Sequence, residues 1–313
     1  MNIEDTILET NKNDYLKYTS KSIERCLSNL NGLDNLLGGF TYDGVTLWVA
    51  QTNAGKTTLL SMLCRNFIRQ GKKVFYFNGE QTFENFENSL YIQNTPSSEI
   101  RFRRYKDTQI VDAFIDGNAL DNASDLYDGN IYIYNNKAKR DINSILKTMK
   151  YCIDTKGVRD FIIDNLMQID NRGDDQFREQ ERIAEDLRTF AVNNKSNIHL
   201  VAHSRKTNGN AIRLTLFDIA GSQTIANKAF NIVTITRIDQ LDKDSSEYDR
   251  LRIDLARSHY NIEKCDSALE VLKTKYSNGG HGLIGLKYDR YNRSYQEVPK
   301  ENIKIENSRP KFI

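Results

Sequence analysis

The sequence predicts an α/β fold: a mostly parallel central sheet flanked by helices, with antiparallel strands toward the C-terminus. Three observations predict it. Short, largely apolar runs at residues 45–50, 73–77, 131–134, 160–164 and 198–202 have the length and texture of strands buried on both faces. Amphipathic helical patterns stand between them, clearest at 142–155 and 176–194. After residue 230 strand-like runs follow with little helix between them, at 232–236, 251–255, 269–273 and 283–288, and these read as an antiparallel edge.

Taken in order, residues 15–30 read as a short helix whose Tyr15, Leu16, Tyr18, Ile23 and Leu27 form one stripe. Residues 30–39 read as a small helix closed by Gly38 and Gly39. A strand at 45–50, a loop at 51–54 and a helix at 55–70 follow, and Gly71 stops that helix. The last fifteen residues have the composition of a frayed polar tail. With 313 residues, the chain fits one enlarged α/β domain with a short N-terminal appendage. The expected organisation is a linker or docking helix at 1–30, an ATPase-type domain at 31–298 and a tail at 299–313.

Composition narrows the function classes. A net charge of +2 provides no global basic field, so any contact with nucleic acid must come from local clusters. The four cysteines, Cys26, Cys64, Cys152 and Cys265, form no C-x-x-C pair, which favours reduced thiols over a zinc site. No signal peptide opens the sequence and no apolar run reaches membrane-spanning length, so a cytoplasmic location with no membrane partner is expected.

The strongest chemical signal is Ala50-Gln51-Thr52-Asn53-Ala54-Gly55-Lys56-Thr57, followed by Thr58, between a predicted strand and a predicted helix. That context suits a phosphate-binding loop, in which backbone N–H groups and the helix N-terminus surround the phosphates. Lys56 would neutralise the β- and γ-phosphates, and the Thr57 hydroxyl would hold Mg²⁺. ATP and Mg²⁺ are therefore the expected ligands. Phe161-Ile-Ile-Asp164 is an apolar strand ending in a carboxylate, placed to hold Mg²⁺ through water, although turn preference alone also puts Asp at strand ends. Glu80, beyond the strand ending at Phe77, can polarise a water that attacks the γ-phosphate; equally, it suits the start of a helix by its charge. His203 follows the strand at 198–202, where a polar side chain can contact the γ-phosphate, while a structural histidine is the other reading.

Residues 204–221 are polar and basic. Arg205, Lys206, Asn208, Asn210, Arg213 and Gly221 could form a nucleic-acid-binding loop, and an ordinary surface loop has the same composition. Residues 170–178, with Arg172 and Arg178 among acids, form a second and weaker candidate.

Together these motifs resemble the helicase domain of the DnaB family, in the branch containing the mitochondrial Twinkle helicase and bacteriophage primase-helicases. The resemblance spans about residues 30–295. It is carried by Gly32-Leu-Asp-Asn-Leu-Leu-Gly-Gly39, Phe77-Asn-Gly-Glu80, Ile163-Asp164-Asn165-Leu166-Met-Gln168, Val201-Ala-His203-Ser-Arg205-Lys206 and Asp218-Ile-Ala-Gly221-Ser222. It implies a RecA-like P-loop NTPase core, Glu80 as the catalytic glutamate and His203 as a γ-phosphate sensor. Leu272-Lys273-Thr-Lys275, then Gly280-His-Gly282, resembles the segment that reaches a neighbouring subunit's ATP. There the family commonly has Lys-x-Arg, so Lys275 stands at the position of an arginine finger, with Arg290 or Arg293 as substitutes. Tyr288 matches an aromatic near the adenine, and Ala50 replaces a usual glycine.

The resemblance further implies a ring, expected to be hexameric, that hydrolyses ATP to translocate 5′ to 3′ on single-stranded DNA and to unwind forked duplexes. Primase and a helicase loader are the implied protein partners. No primase module precedes the ATPase domain, which suggests a stripped motor of bacteriophage type. Two rival readings remain: a filament-forming RecA-type recombinase, and an ATP-switched loader or scaffold.

Overall fold

The computed structural model describes residues 24–104, 111–170, 176–204, 213–219, 223–275 and 280–299. In chain order the elements are β1 (Arg25–Cys26), α1 (Asn31–Leu37), β2 (Phe40–Thr41), β3 (Gly44–Ala50), α2 (Lys56–Arg69), β4 (Val74–Asn78) and α3 (Phe83–Gln93). They continue as β5 (Arg101–Arg104), β6 (Val111–Phe114), α4 (Gly117–Tyr127), β7 (Ile131–Ile133), α5 (Ile142–Lys156), β8 (Asp160–Asp164), α6 (Gln176–Asn194) and β9 (Asn197–His203). The last are α7 (Gln223–Lys228), β10 (Asn231–Arg237), α8 (Ser246–Arg257), β11 (Ser267–Thr274), β12 (Gly282–Asp289) and β13 (Ser294–Glu297).

Among the described residues, nine strands form the central sheet, in the order β13-β12-β11-β10-β3-β9-β8-β4-β7. From β10 to β7 every pairing is parallel, and β11, β12 and β13 add the antiparallel edge. The fold class is the α/β class that the sequence predicts. Alternation of side chains along β3 supplies both faces of the sheet. Trp48 joins the apolar cluster under α2 and the β11–β13 edge, whereas Leu47 and Val49 join the cluster under α5 and α6. Because β3 is buried along its whole length, hydrogen bonds to β9 on one side and β10 on the other satisfy its backbone.

Some expectations are corrected. The proposed helix at 15–30 does not reach Leu30: Arg25–Cys26 is a strand paired with Phe40–Thr41, and residues 1–23 lie outside the described residues. Residues 251–255 are not a strand but part of α8. Leu251, Ile253 and Leu255 imitate a two-residue period, yet Tyr248, Leu251 and Leu255 are buried while Ile253 is 46% exposed, which is the helical spacing. Ser245 caps this helix by accepting from the Tyr248 N–H at 3.1 Å. The run at 232–236 belongs to β10, which pairs parallel to β3 and so lies inside the sheet, with the antiparallel edge beginning one strand later. The β5–β6 hairpin, α3, α4 and β13 were not anticipated. Among the described residues no helix is long and apolar enough to cross a membrane.

At the N-terminal end of the parallel strands, polar groups are buried in one chain of contacts. Tyr42 donates its hydroxyl to Asp160 Oδ2 (3.1 Å) and Asn197 Nδ2 donates to Asp160 Oδ1 (3.0 Å). Trp48 Nε1 donates to His199 Nδ1 at 3.0 Å, and burial pushes the His199 pKa down to about 3, so the ring is neutral. Burial raises the Asp160 carboxyl to about 6 against the pull of Asn197 and Tyr42. The folded state therefore holds this proton more tightly than the unfolded chain, whose ordinary value is 3.8. The associated stability is complete below pH 3.8 and is lost as pH rises through about 6. Asp160→Asn removes that loss. Relative to the unsubstituted protein, the variant is expected to gain about 2–3 kcal/mol between pH 4 and pH 7 in denaturant titrations. A difference independent of pH would show that Asp160 is charged in the fold.

Candidate nucleotide site

The phosphate-loop motif occupies the turn between β3 and α2. Ala50 ends β3 with no exposure, and a glycine is not needed there because the left-handed turn comes later, at Asn53 (φ 62°) and Gly55 (φ 86°). Gly55 is constrained twice. Its φ disfavours a side chain, and a Cβ would lie 2.2 Å from the Tyr295 hydroxyl. Thr52 and Asn53 are exposed at the crest of the loop, Gln51, Thr57 and Thr58 are half-buried, and Ala54 is buried. Lys56 folds its ammonium back over the loop, donating to the carbonyls of Ala50 (3.1 Å) and Gln51 (2.8 Å). Burial lowers its pKa, and the carboxylates of Asp164 and Glu80 oppose that shift.

Parallel register brings the remaining groups to the same edge. Ala50 pairs with His203 on β9, and Asn78 at the end of β4 pairs with Asp164 at the end of β8. Asp164 is buried and hydrogen-bonds the Thr57 hydroxyl. Burial raises its pKa to about 6; Thr57 pulls it down, Glu80 adds a smaller push upward, and Lys56 opposes that push. A hydroxyl beside a carboxylate is an oxygen donor set suited to a hard divalent cation such as Mg²⁺.

Glu80 is placed by backbone contacts on either side of it. The Gly79 N–H donates to the Asp164 carbonyl (2.7 Å), and Asn78 Oδ1 accepts from the N–H groups of Glu80 (3.3 Å) and Gln81 (3.2 Å). Its carboxylate meets the Asn165 amide and lies 3.5 Å from His203 Nε2, with a side-chain exposure of 42% that leaves it open to solvent. Asn165, the residue after Asp164, carries no signal of its own in the sequence, and it links the two candidates. Its Oδ1 accepts from the Met167 N–H (2.9 Å), which orients the amide so that Nδ2 faces both Glu80 and His203 Nε2, the latter at 3.0 Å. His203 Nε2 is then the acceptor and Nδ1 carries the ring proton of the neutral form. Burial and the Lys56 charge lower the His203 pKa, and Glu80 opposes them.

Two further residues escaped sequence reasoning. Tyr295, on β13, stacks at 5.2 Å with Tyr288 and covers Gly55, and Arg237, at the end of β10, reaches the Asn53 carbonyl at 3.4 Å. Tyr288, Tyr295 and Arg237, whose guanidinium is paired with Asp239, thus form a wall beside the loop. The only sequence signal of Tyr295 and Arg237 was their position near strand ends, which the antiparallel edge concealed.

Not every candidate gathers here. Lys273 and Lys275 lie at the opposite end of the sheet, because β11 runs antiparallel to β10: Ser267 pairs with Arg237 near the loop, and Thr274 pairs with Asn231 far from it. Lys273 donates to the carbonyls of Ala226 (2.7 Å) and Asn227 (3.2 Å), and the Lys275 ammonium lies 6.0 Å from the Phe230 ring centre. Arg205, Lys206, Asn208, Asn210 and Gly221 lie outside the described residues. So does most of the second basic loop at 170–178. Arg213 corrects the expectation of a free cation for DNA phosphates, since its guanidinium pairs with Glu270 and Asp254.

With this geometry in hand, a model of the DnaB-like helicase C-terminal domain matches residues 26–297. The chain belongs to that family. Its fold is similar to a solved DnaB-like replicative helicase, described with its interactions with primase, at a TM-score of 0.70 and 18% identity over 90% of the chain. The match takes in 64% of that helicase, so the present chain spans less than two thirds of its length. A separate solved ATPase domain is similar at a TM-score of 0.69 and 18% identity, covering 91% of this chain and 95% of that one. A KaiC-like protein from the archaeon Pyrococcus horikoshii shares the fold at a TM-score of 0.59 and 11% identity, covering 89% of this chain and all of its own. A DnaB-like, RecA-type core is therefore the frame on which the site stands.

The electrostatics make a signed prediction. In a histidine NMR titration the His203 midpoint is expected below 6.5. Lys56→Met is expected to raise it and Glu80→Gln to lower it further, because each removes the charge acting in the opposite sense. Shifts of the reverse sign would place neither charge beside the ring.

Proposed function

We propose that the chain is the motor domain of an ATP-dependent replicative DNA helicase that assembles as a hexameric ring and translocates 5′ to 3′ on single-stranded DNA. The observation that carries this reading is the separation of Lys273 and Lys275 from their own phosphate loop. Four residue steps along β10, from Asn231 to Ile235, separate the strand's far end from the position paired with Ala50, roughly 13 Å. Such lysines are of no use to their own nucleotide, but in a head-to-tail ring the exposed Lys275 is available to the nucleotide of the next protomer, while Lys273 is held by the Ala226 and Asn227 carbonyls. That arrangement supports a shared site more than a self-contained switch or loader.

In this reading Lys56 exchanges the Ala50 and Gln51 carbonyls for the β- and γ-phosphate oxygens of ATP. Thr57 and Asp164 would hold Mg²⁺ between them, which when bound would offset phosphate charge. Glu80 orients a water and accepts its proton as the water attacks the γ-phosphorus and the β–γ bridging oxygen leaves with the ADP. Asn165 keeps the Glu80 carboxylate and His203 in line, so that the imidazole can detect the presence of the γ-phosphate. Tyr288, Tyr295 and Arg237 offer stacking and charge to the base and sugar. Lys275, from the neighbour, supplies charge to the transferring group without the planar fork of an arginine. Single-stranded and forked DNA are the proposed substrates, contacted by Arg205, Lys206, Asn208, Asn210 and Gly221, with Arg213 set apart because Glu270 and Asp254 hold its guanidinium. Primase and a loader are the proposed protein partners, acting in the bacterial cytoplasm on behalf of a bacteriophage.

Glu80→Gln is expected to bind ATP and DNA normally, lose about 10²-fold or more in turnover and fail to unwind a fork. Near-normal turnover would remove Glu80 from the role of base. Lys275→Ala is expected to lower DNA-stimulated hydrolysis and to spare nucleotide binding. When it is mixed with Lys56→Ala protomers, some junctions pair an intact loop with an intact lysine and partial activity returns; no return would count against action in trans.

A further inference from the structure

Among the described residues between β9 and β10, Arg213 and α7 are each tied by side-chain hydrogen bonds to the antiparallel edge, and both ties lie on β11. At the first, Arg213 donates Nε to Glu270 Oε2 (2.9 Å) and Nη2 to Glu270 Oε1 (2.8 Å), a two-pronged contact, while Nη1 reaches Asp254 Oδ2 on α8 (2.6 Å). The Arg213 N–H donates to Glu247 Oε1 as well, at 2.6 Å. At the second, Lys273 closes the C-terminal end of α7 by donating to the Ala226 and Asn227 carbonyls. Between these points Leu214 and Ile219 are buried in the cluster under α6, and Ile219 bridges back to Ser204, the residue after His203.

A register irregularity makes both contacts possible from one strand. Glu270 pairs with Thr234 and Val271 with Val233, but Ile232 pairs with Lys273, so Leu272 is the extra residue. A bulge of this kind interrupts the alternation of faces. It returns Lys273 to the face carrying Glu270, the face on which Leu272 and Ile232 pack with α7. Without it Lys273 would project on the other side, away from the segment it now holds.

We infer that β11 is a coupling strand: the Arg213–Glu270 fork fixes the segment ending the basic stretch at 204–221 to the strand that carries Lys275, so that movement of one is imposed on the other. This inference rests on the helicase reading and makes Arg213 and Glu270 positioning residues. A half-buried ion pair contributes little net stability, because desolvation offsets its attraction. What a planar fork contributes is fixed geometry, which an apolar contact of equal area lacks. Glu270 and Lys273 are three residues apart, roughly 10 Å along the strand, a span short enough to move as one body.

The test uses the full-length chain and a single-stranded oligonucleotide, with hydrolysis and DNA affinity measured separately. Glu270→Gln is expected to keep DNA-independent hydrolysis and oligonucleotide affinity within about twofold, and to reduce stimulation by DNA roughly tenfold. Arg213→Gln is expected to keep basal hydrolysis and affinity likewise and to lose at least as much stimulation, because it also releases Asp254. The double variant is expected to do no more than Arg213→Gln, since both substitutions break the same fork. Glu270→Asp keeps the charge with a shorter arm. It is expected to give an intermediate loss, and it stands in if Glu270→Gln melts below the assay temperature. Full stimulation in either Glu270 variant overturns the proposal, and additive effects in the double variant do so too. A fall in DNA affinity for Arg213→Gln that persists with Gln at 270 also overturns it, by making Arg213 a direct DNA ligand. If the unsubstituted protein shows no stimulation by DNA at all, the helicase reading itself fails and takes the coupling strand with it.

Discussion

In-register parallel pairing is the constraint on which the rest of this structure depends. Once β3 pairs with β9 and β10, and β8 pairs with β4, the strand ends fall into line, with Ala50 opposite both His203 and Ile235 and Asn78 opposite Asp164. The chain must then leave the sheet at that edge. Gly55 turns it into α2, Asn78 caps the departing turn before Glu80, and Asn165 starts the turn at Leu166–Gln168. Groups far apart in sequence meet because the hydrogen-bond ladder fixes the register: a slip of one residue would exchange the two buried faces, driving Trp48 into the cluster under α5 and α6 and Leu47 and Val49 into the cluster under α2.

Burial gives that edge its chemical character. Asp164 is almost fully buried beside a buried Lys56, so each is held by the charge of the other and by Thr57, the Ala50 carbonyl and the Gln51 carbonyl. Glu80 differs, since it stands open to solvent on a short turn. Asp164 and Glu80 thus stand in two different environments, one buried and one open to solvent, a distinction that residue chemistry alone does not make and on which the proposed division of their roles rests. Asn165 ties the exposed carboxylate to His203 without itself titrating, which makes it a fixed spacer between that carboxylate and a ring whose pKa the carboxylate raises against burial and the Lys56 charge.

The antiparallel edge does the opposite work. Reversing direction after β10 sends β11 away from the phosphate loop, so Arg237 and Ser267 stay near the nucleotide end while Thr274 and the lysines around it are carried to the far end. The return strands β12 and β13 come back to the loop and deliver Tyr288 and Tyr295 to it. One hairpin-connected edge therefore serves two sites, its own nucleotide wall and a distant basic tip, with the Arg213–Glu270 fork at the middle of the strand between them.

The sequence by itself determined the parallel half of this protein and the loop it was first read from. Apolar runs and amphipathic spacing are local signals, and the strands β3, β4, β7, β8 and β9, the helices α2, α5 and α6, and the turn ending at Gly55-Lys56-Thr57 emerged from them within a few residues. Glu80, Asp164 and His203 were legible as polar residues following apolar strands. Only the tertiary structure decided which of them touch, that Asn165 joins them, and that Tyr295 and Arg237 complete the wall, because strand order and register are long-range and leave no periodic trace. It also decided that residues 251–255 are helical: alternation suggested a strand, and burial of Tyr248, Leu251 and Leu255 along one stripe overruled it. Arg213 moved for the same reason. Composition placed it in a basic loop, whereas Glu270 and Asp254, brought beside it by the fold, give its charge a partner inside the protein.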